Sequence, residues 1–139
     1  MASGSRSPLG LVDTNVLIQL VRLDPNDLPD EIVVSAVSLA EISAGPYHTT
    51  DAAERARRTS VLQHVEATFE PLPFDAAAAR AFGQVSAAVL AVGRKTRSRL
   101  ADLMIASVAV SNGLPLYTSN PDDFRGLDVV MTVVPVGHR

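Results

Sequence analysis

The chain has 139 residues, 47% of them hydrophobic and 19% charged, a length and balance that suit one compact core and exclude a disordered or fibrous chain. Cysteine is absent, which removes disulfide stapling, thiolate metal sites and thiol nucleophiles together, and no run approaches the ~20 uninterrupted apolar residues of a membrane span. The net charge of −3 offers no overall attraction to nucleic acid, so any such contact has to come from local clusters. The first apolar segment, residues 9–23, is interrupted by Asp13, Asn15, Gln19 and Arg22 and makes a poor signal-peptide core, so a cytoplasmic protein is expected.

Residues 1–9 carry Ser, Gly and Pro without apolar rhythm and are expected to form a flexible lead-in to a single domain over 10–136. Gly10-Leu11-Val12 reads as a buried strand, turning at Asp13-Thr14-Asn15 into a helix with Val16, Leu17, Leu20 and Val21 on its apolar face. Ile32-Val33-Val34 repeats the pattern and leads into a helix through Leu39, Glu41 and Ile42 that stops at Gly45-Pro46. Residues 51–67 form an amphipathic helix, Arg-rich on one side and with Val61, Leu62 and Val65 on the other. Phe69 to Phe74 alternates as an edge strand would, since proline is tolerated at sheet margins. Asp75 is placed to cap an Ala-rich helix over 76–92, ended by Gly93. A further helix spans 100–111 and closes at Asn112-Gly113, then come a strand over 114–118, a turn over 120–124 and a last strand over 129–134. Strands alternating with helices imply crossover connections, hence an α/β fold with a mainly parallel central sheet covered on both faces as a three-layer α/β/α sandwich.

In such a sheet the loops leaving the carboxyl ends of the strands gather in one crevice. Asp13 leaves the first strand there, Glu41 lies on the helix after the second, and Asp122 and Asp123 follow the 114–118 strand. Asp102 begins a helix whose Leu103, Ala106 and Val110 should face the core, which directs its carboxylate to the same rim. Glu41 stands among Leu39, Ala40 and Ile42 in a segment expected to be half-buried, where an unpaired carboxylate is costly. Converging carboxylates raise one another's pKa unless a cation neutralises them. A cysteine-free acidic set suits a hard divalent ion, Mg²⁺ or Mn²⁺ over zinc, and such an ion activates water and stabilises charge on a scissile phosphate. All but one of the basic residues are arginine, and Arg94, Lys95, Arg97 and Arg99 lie just before Asp102, where they could hold a nucleic-acid backbone. His48, His64 and His138 fall outside any motif and are assigned no chemistry.

Four segments carry a family resemblance: Leu11-Val12-Asp13-Thr14-Asn15-Val16-Leu17-Ile18, Ser38-Leu39-Ala40-Glu41-Ile42, Ala101-Asp102-Leu103-Met104-Ile105-Ala106-Ser107, and Tyr117-Thr118-Ser119-Asn120-Pro121-Asp122-Asp123-Phe124. In this order they resemble the successive motifs of the PIN-domain nucleases, and within those the VapC toxins, over roughly residues 10–135. The resemblance implies a PIN-like α/β/α domain and Mg²⁺- or Mn²⁺-dependent endoribonuclease activity on an RNA substrate. It also implies frequent homodimerisation and inhibition by a cognate VapB antitoxin. By motif, Asp13, Glu41 and Asp102 are the metal-binding, catalytic acids. Relatives place an acid or amide at the site of Asn120, an acid at the site of Asp123, or both; Asn120 is neutral here, so Asp123 is chosen to complete the set, with Asp122 in reserve. Thr14, Asn15 and Thr118 are polar supports, Asn15 and Thr118 within reach of a ligand water or phosphate, and Ser119 stands where many relatives have a basic residue. Two rivals bear weighing. A phosphoaspartate receiver or an Asp-x-Asp phosphatase lacks its late Lys or an acid at Asn15, and a catalytically silent PIN-fold RNA- or protein-binding module is opposed by the intact acids.

Overall fold

The computed structural model describes residues 8–138, so residues 1–7 of the expected lead-in lie outside the described part, while Leu9 already opens the first strand. Four short strands, β1 (Leu9–Val12), β2 (Glu31–Val33), β3 (Leu116–Thr118) and β4 (Val133–Pro135), form one parallel sheet in the order β2-β1-β3-β4. Leu11 sits opposite Val33 on one side and Leu116 on the other. The chain moves outward from β1 to β2 and then returns to the far flank of β1, so the topological switch lies between β1 and β3.

Successive residues of a strand face opposite sides, and both sides of this sheet are covered. Leu11 and Leu116 pack with Val85, Val89, Leu103 and Ile105 of α4 (Ala76–Ala91) and α5 (Leu100–Ser111). Val12 and Tyr117 pack the other way, with Val16 of α1 (Thr14–Ile18), Ile42 of α2 (Ala36–Ala44) and Val65 of α3 (Ala52–Thr68). The result is the expected three-layer α/β/α sandwich. No helix among the described residues is long and apolar enough to cross a membrane.

Local chemistry sets the element ends. Asp13, Ser35, Asp51 and Asp75 each accept the N–H three residues ahead through a side-chain oxygen and so cap α1, α2, α3 and α4. Past α4 and α5 the chain turns at Gly93 and Gly113, both at positive φ, where a Cβ would be strained.

Three elements depart from the reading of the sequence. The first helix ends at Ile18 and tightens into a 3₁₀ turn over Leu20–Arg22, leaving Val21 exposed, because fully buried Leu23 is drawn into a bridge with His138. Residues 69–74 make no strand but a single bridge of Leu72 to Ser35. Pro71 and Pro73 have no N–H and interrupt the ladder, so the pairing is confined to Leu72 between them, which donates to the Val34 carbonyl (2.8 Å) and accepts from Ala36 N–H (2.7 Å). The last strand starts only at Val133, because Gly126 at positive φ leads into a 3₁₀ turn, Leu127–Val129, that buries Leu127.

Candidate metal centre

Asp13 is the residue directly after β1, and its own N–H donates to the Tyr117 carbonyl (3.1 Å), which clamps it at the switch point. The residue is 4% exposed, with Oδ1 accepting from Val16 N–H (2.9 Å) and Oδ2 from the Thr118 hydroxyl (2.6 Å). Thr118 is itself fully buried and also accepts from Asn120 N–H (2.9 Å), so it supports Asp13 and does not face solvent. Burial pushes the Asp13 carboxyl above its ordinary range; the hydrogen bonds from Thr118 and Val16 pull it back, and the charges of Asp123 and Glu41 push it further up.

Glu41 is exposed, contrary to the half-buried position expected for it. The buried face of α2 carries Ser38 and Ile42, and Glu41 stands beside that face at the solvent rim. Its placement comes from hydrogen bonds: Thr14 donates to Glu41 Oε1 (2.6 Å), and the Thr14 and Ser38 hydroxyls lie 2.9 Å apart. Sequence reasoning misses Ser38 as a support, although its spacing of three from Glu41 puts the two on one helix face. Asn15 is exposed and, with Thr14, Glu41, Ile42 and Arg58, lines a groove of about 420 Å³. On its other side Glu41 borders a groove of about 610 Å³ walled by Val37, Phe74, Leu100 and Met104.

Asp102 lies in the first turn of α5, partly buried, with Leu103 and Ala106 in the core as the spacing required. Its carboxyl is pushed up to about 6, by burial first and then by the charges of Asp123, Glu41 and Asp13, while Arg99 pulls it down. The four acids therefore share one electrostatic neighbourhood. Asp123 belongs to it and is held from both sides, Oδ1 accepting from Arg99 (3.0 Å) and Oδ2 from the Asn120 amide (2.9 Å). Asp122 points elsewhere. It is exposed, with Oδ2 on Arg94 (3.0 Å) and Oδ1 on Arg125 (2.6 Å), and these bonds hold its carboxyl below the usual range. Of the basic run, Arg94 and Arg99 are thus paired with acids, while Lys95 and Arg97 are exposed and make no ion pair among the described residues.

Asp13, Glu41, Asp102 and Asp123, with Asn120 beside them, form an all-oxygen donor set whose mutual repulsion a hard divalent ion would relieve. The chemistry of the donors fits such an ion, although among the described residues no three His, Asp or Glu side chains are already drawn into a cage. Burial and repulsion together have a measurable consequence at Asp102. With the folded-state pKa of Asp102 above that of the unfolded chain, its contribution to stability is fully present below about pH 4 and is lost as pH rises through about 6. Asp102→Asn is therefore expected to stabilise the fold above pH 6 by about 1 kcal/mol, a figure discounted for partial exposure, with the gain vanishing toward pH 4. Urea melts of both proteins in chelator at pH 7.5 and pH 4 check this; an equal difference at the two pH values would contradict the raised Asp102 carboxyl.

A family model described as the PIN domain matches residues 10–130. The chain is 37% identical over 127 residues to Ribonuclease VapC5 of Mycobacterium tuberculosis, covering 89% of this chain and 91% of that protein. The crystal structure of VapBC-5 from Mycobacterium tuberculosis, a member of the VapBC family of toxin-antitoxin systems, superposes with a TM-score of 0.79 at 36% identity, covering 91% of this chain and 95% of that one. The DNA-bound VapBC of Salmonella typhimurium superposes with a TM-score of 0.71 over 93% of this chain and 98% of that one; at 23% identity it supports the fold alone.

Proposed function

Since the chain belongs to the PIN domain family, in its VapC group, we propose that it is a metal-dependent endoribonuclease, the toxin of a type II toxin–antitoxin pair. One observation carries the reading: at the β1/β3 switch point of a chain similar to a named ribonuclease, the charges of Glu41 and Asp123, far apart in sequence, both reach the carboxyls of Asp13 and Asp102.

In this reading the four acids hold one or two Mg²⁺ or Mn²⁺ ions. When bound, such an ion lowers the pKa of a coordinated water and stabilises charge on the scissile phosphate. The chain's own part is positioning. Thr118 and the Val16 N–H fix both oxygens of Asp13, leaving it little rotational freedom. Thr14, steadied by Ser38, aims Glu41 from the solvent rim, and Asn120 orients Asp123. Lys95 and Arg97, exposed just ahead of Asp102, take RNA phosphates, which gives salt-sensitive affinity without sequence choice. Asn15, at the rim beside Thr14, is placed to meet a ligand water or phosphate. A VapB-type antitoxin restrains the activity in the cytoplasm and the toxin pairs as a homodimer; the complexes of the toxin-antitoxin relative support the first of these.

Purified chain incubated with RNA is expected to cleave it in Mn²⁺ or Mg²⁺ and to stop in EDTA, with activity restored when the ion is returned in excess. Cleavage that survives chelation would remove the metal dependence, whereas no cleavage with either ion would leave an RNA- or protein-binding module.

A further inference from the structure

Arg99 and Arg94 both lie in the basic stretch before α5, yet they meet different acids. Arg94 pairs with Asp122, which stands outside the acidic centre, and the pair has an exposed carboxylate. Arg99 pairs with Asp123 inside it, and both side chains are largely shielded, at 26% and 28% exposure. The guanidinium occupies Asp123 Oδ1, Asn120 occupies Oδ2, and the same arginine charge is felt at Asp102, three residues along. Asp123 has two carboxylate oxygens, and both already accept from the chain's own donors. A carboxylate oxygen can accept more than one partner, but the positive guanidinium 3.0 Å from Oδ1 neutralises the charge that would draw a cation there and repels the cation itself.

We propose that Arg99 is a displaceable internal counter-ion for Asp123: it offsets part of the repulsion in the acid cluster and competes directly with the divalent ion for that carboxylate. Arg99 is then a positioning residue for the centre and an uncommitted phosphate ligand only after exchange. The position suits such an exchange. Arg99 ends a single 3₁₀ turn, Arg97–Arg99, at the very start of α5, where a long side chain can swing without disturbing the helix that carries Asp102. Lys95 and Arg97, with no such partner among the described residues, are the permanent basic surface, and Arg99 is the conditional one.

The inference rests on the metal-dependent reading, and its test reads ion affinity, not cleavage. Mn²⁺ alone is titrated calorimetrically into the wild-type chain, Arg99→Gln, Asp123→Asn and the double variant. Removing a competing arginine should tighten Mn²⁺ binding about two- to fivefold in Arg99→Gln, the range expected for a partly exposed ion pair. Loss of a nearby positive charge would also tighten binding at long range, so the double variant decides. Competition for Asp123 requires that the effect of Arg99→Gln largely disappear in the Asp123→Asn background. The same gain in both backgrounds, or an unchanged or weaker affinity in Arg99→Gln, would overturn the competition. Should Arg99→Gln fail to fold by circular dichroism, Arg99→Lys keeps the charge but loses the planar fork, and competition then predicts a smaller gain in the same direction, again absent when combined with Asp123→Asn. Mn²⁺ binding to none of the variants, the wild type included, would sink the metal-dependent reading along with this one, whereas binding with an unaltered affinity in Arg99→Gln sinks this one only.

Discussion

Asp13→Asn is expected to lower Mn²⁺-dependent RNA cleavage by at least about a hundredfold while leaving the fold intact, since removing one fixed charge-stabilising group from a catalytic centre commonly has an effect of that size. The substitution is close to isosteric. The Asn oxygen can still accept from Val16 N–H and keep α1 capped, and the Thr118 hydroxyl can turn to accept from the new amide in place of donating to a carboxylate. What disappears is the negative charge. Burial already holds the Asp13 carboxyl above its ordinary range, so a neutral replacement removes an unfavourable buried charge at neutral pH, and the thermal midpoint should not fall. Activity and melting therefore separate: a purely structural aspartate would move both together. RNA cleavage at saturating Mn²⁺, followed beside a circular dichroism melt, makes the comparison, and cleavage at the wild-type rate would rule Asp13 out as a ligand.

The second large effect is on stability and lies three residues upstream. Gly10 is in the middle of β1, and a Cβ built there would overlap Tyr117 Cε1 while lying 2.7 Å from Tyr117 Cδ1 and 2.9 Å from Pro29 Cβ. Tyr117 is 3% exposed and belongs to the core on that face, so the ring has no open space to move into. Gly10→Val is expected to destabilise the fold by roughly 3 kcal/mol, the upper end of overpacking in a dense core. Gly10→Ala should follow in the same direction with a smaller loss. Urea unfolding midpoints check both; a valine variant with the wild-type midpoint would mean that Tyr117 does not lie across this glycine.

The parts of the molecule that can be read from the chain are those governed by neighbours in sequence. Asp75 caps the helix that follows it, and α5 runs over Leu100–Ser111 with Gly113 at positive φ beyond it, because capping and turn chemistry act over three or four residues. The alternation of short apolar runs with helices is enough for a parallel three-layer fold. Where the reading fails, distant partners decide. Phe69 to Phe74 alternates as a strand does, yet Pro71 and Pro73 lack the N–H a ladder needs, and the bridge Leu72 makes between them is with a segment more than thirty positions earlier. Val129 looks like the start of a strand, but Gly126 and the burial of Leu127 fold it into a turn. The apolar neighbours of Glu41 suggest a half-buried position; the helix places Ser38 and Ile42 inward and leaves Glu41 on the rim. At the acidic centre the residue types and their rough convergence are legible, but the division of labour between Asp122 and Asp123 is not. It depends on which arginine reaches which carboxylate, a pairing across 28 positions for Arg94 and 24 for Arg99.

The Pro71-Leu72-Pro73 segment has a consequence for the protein's behaviour in a crowded solution. β2 is an outer strand, and a bare outer strand invites another chain to add to it and seed a growing aggregate. At the end of β2 that faces the acids, Leu72 takes the available Val34 carbonyl and Ala36 amide, while the flanking prolines present no donors outward. A foreign strand meets a closed margin at this end of β2, so the side of the sheet nearest Glu41 offers no free ladder for another chain to extend.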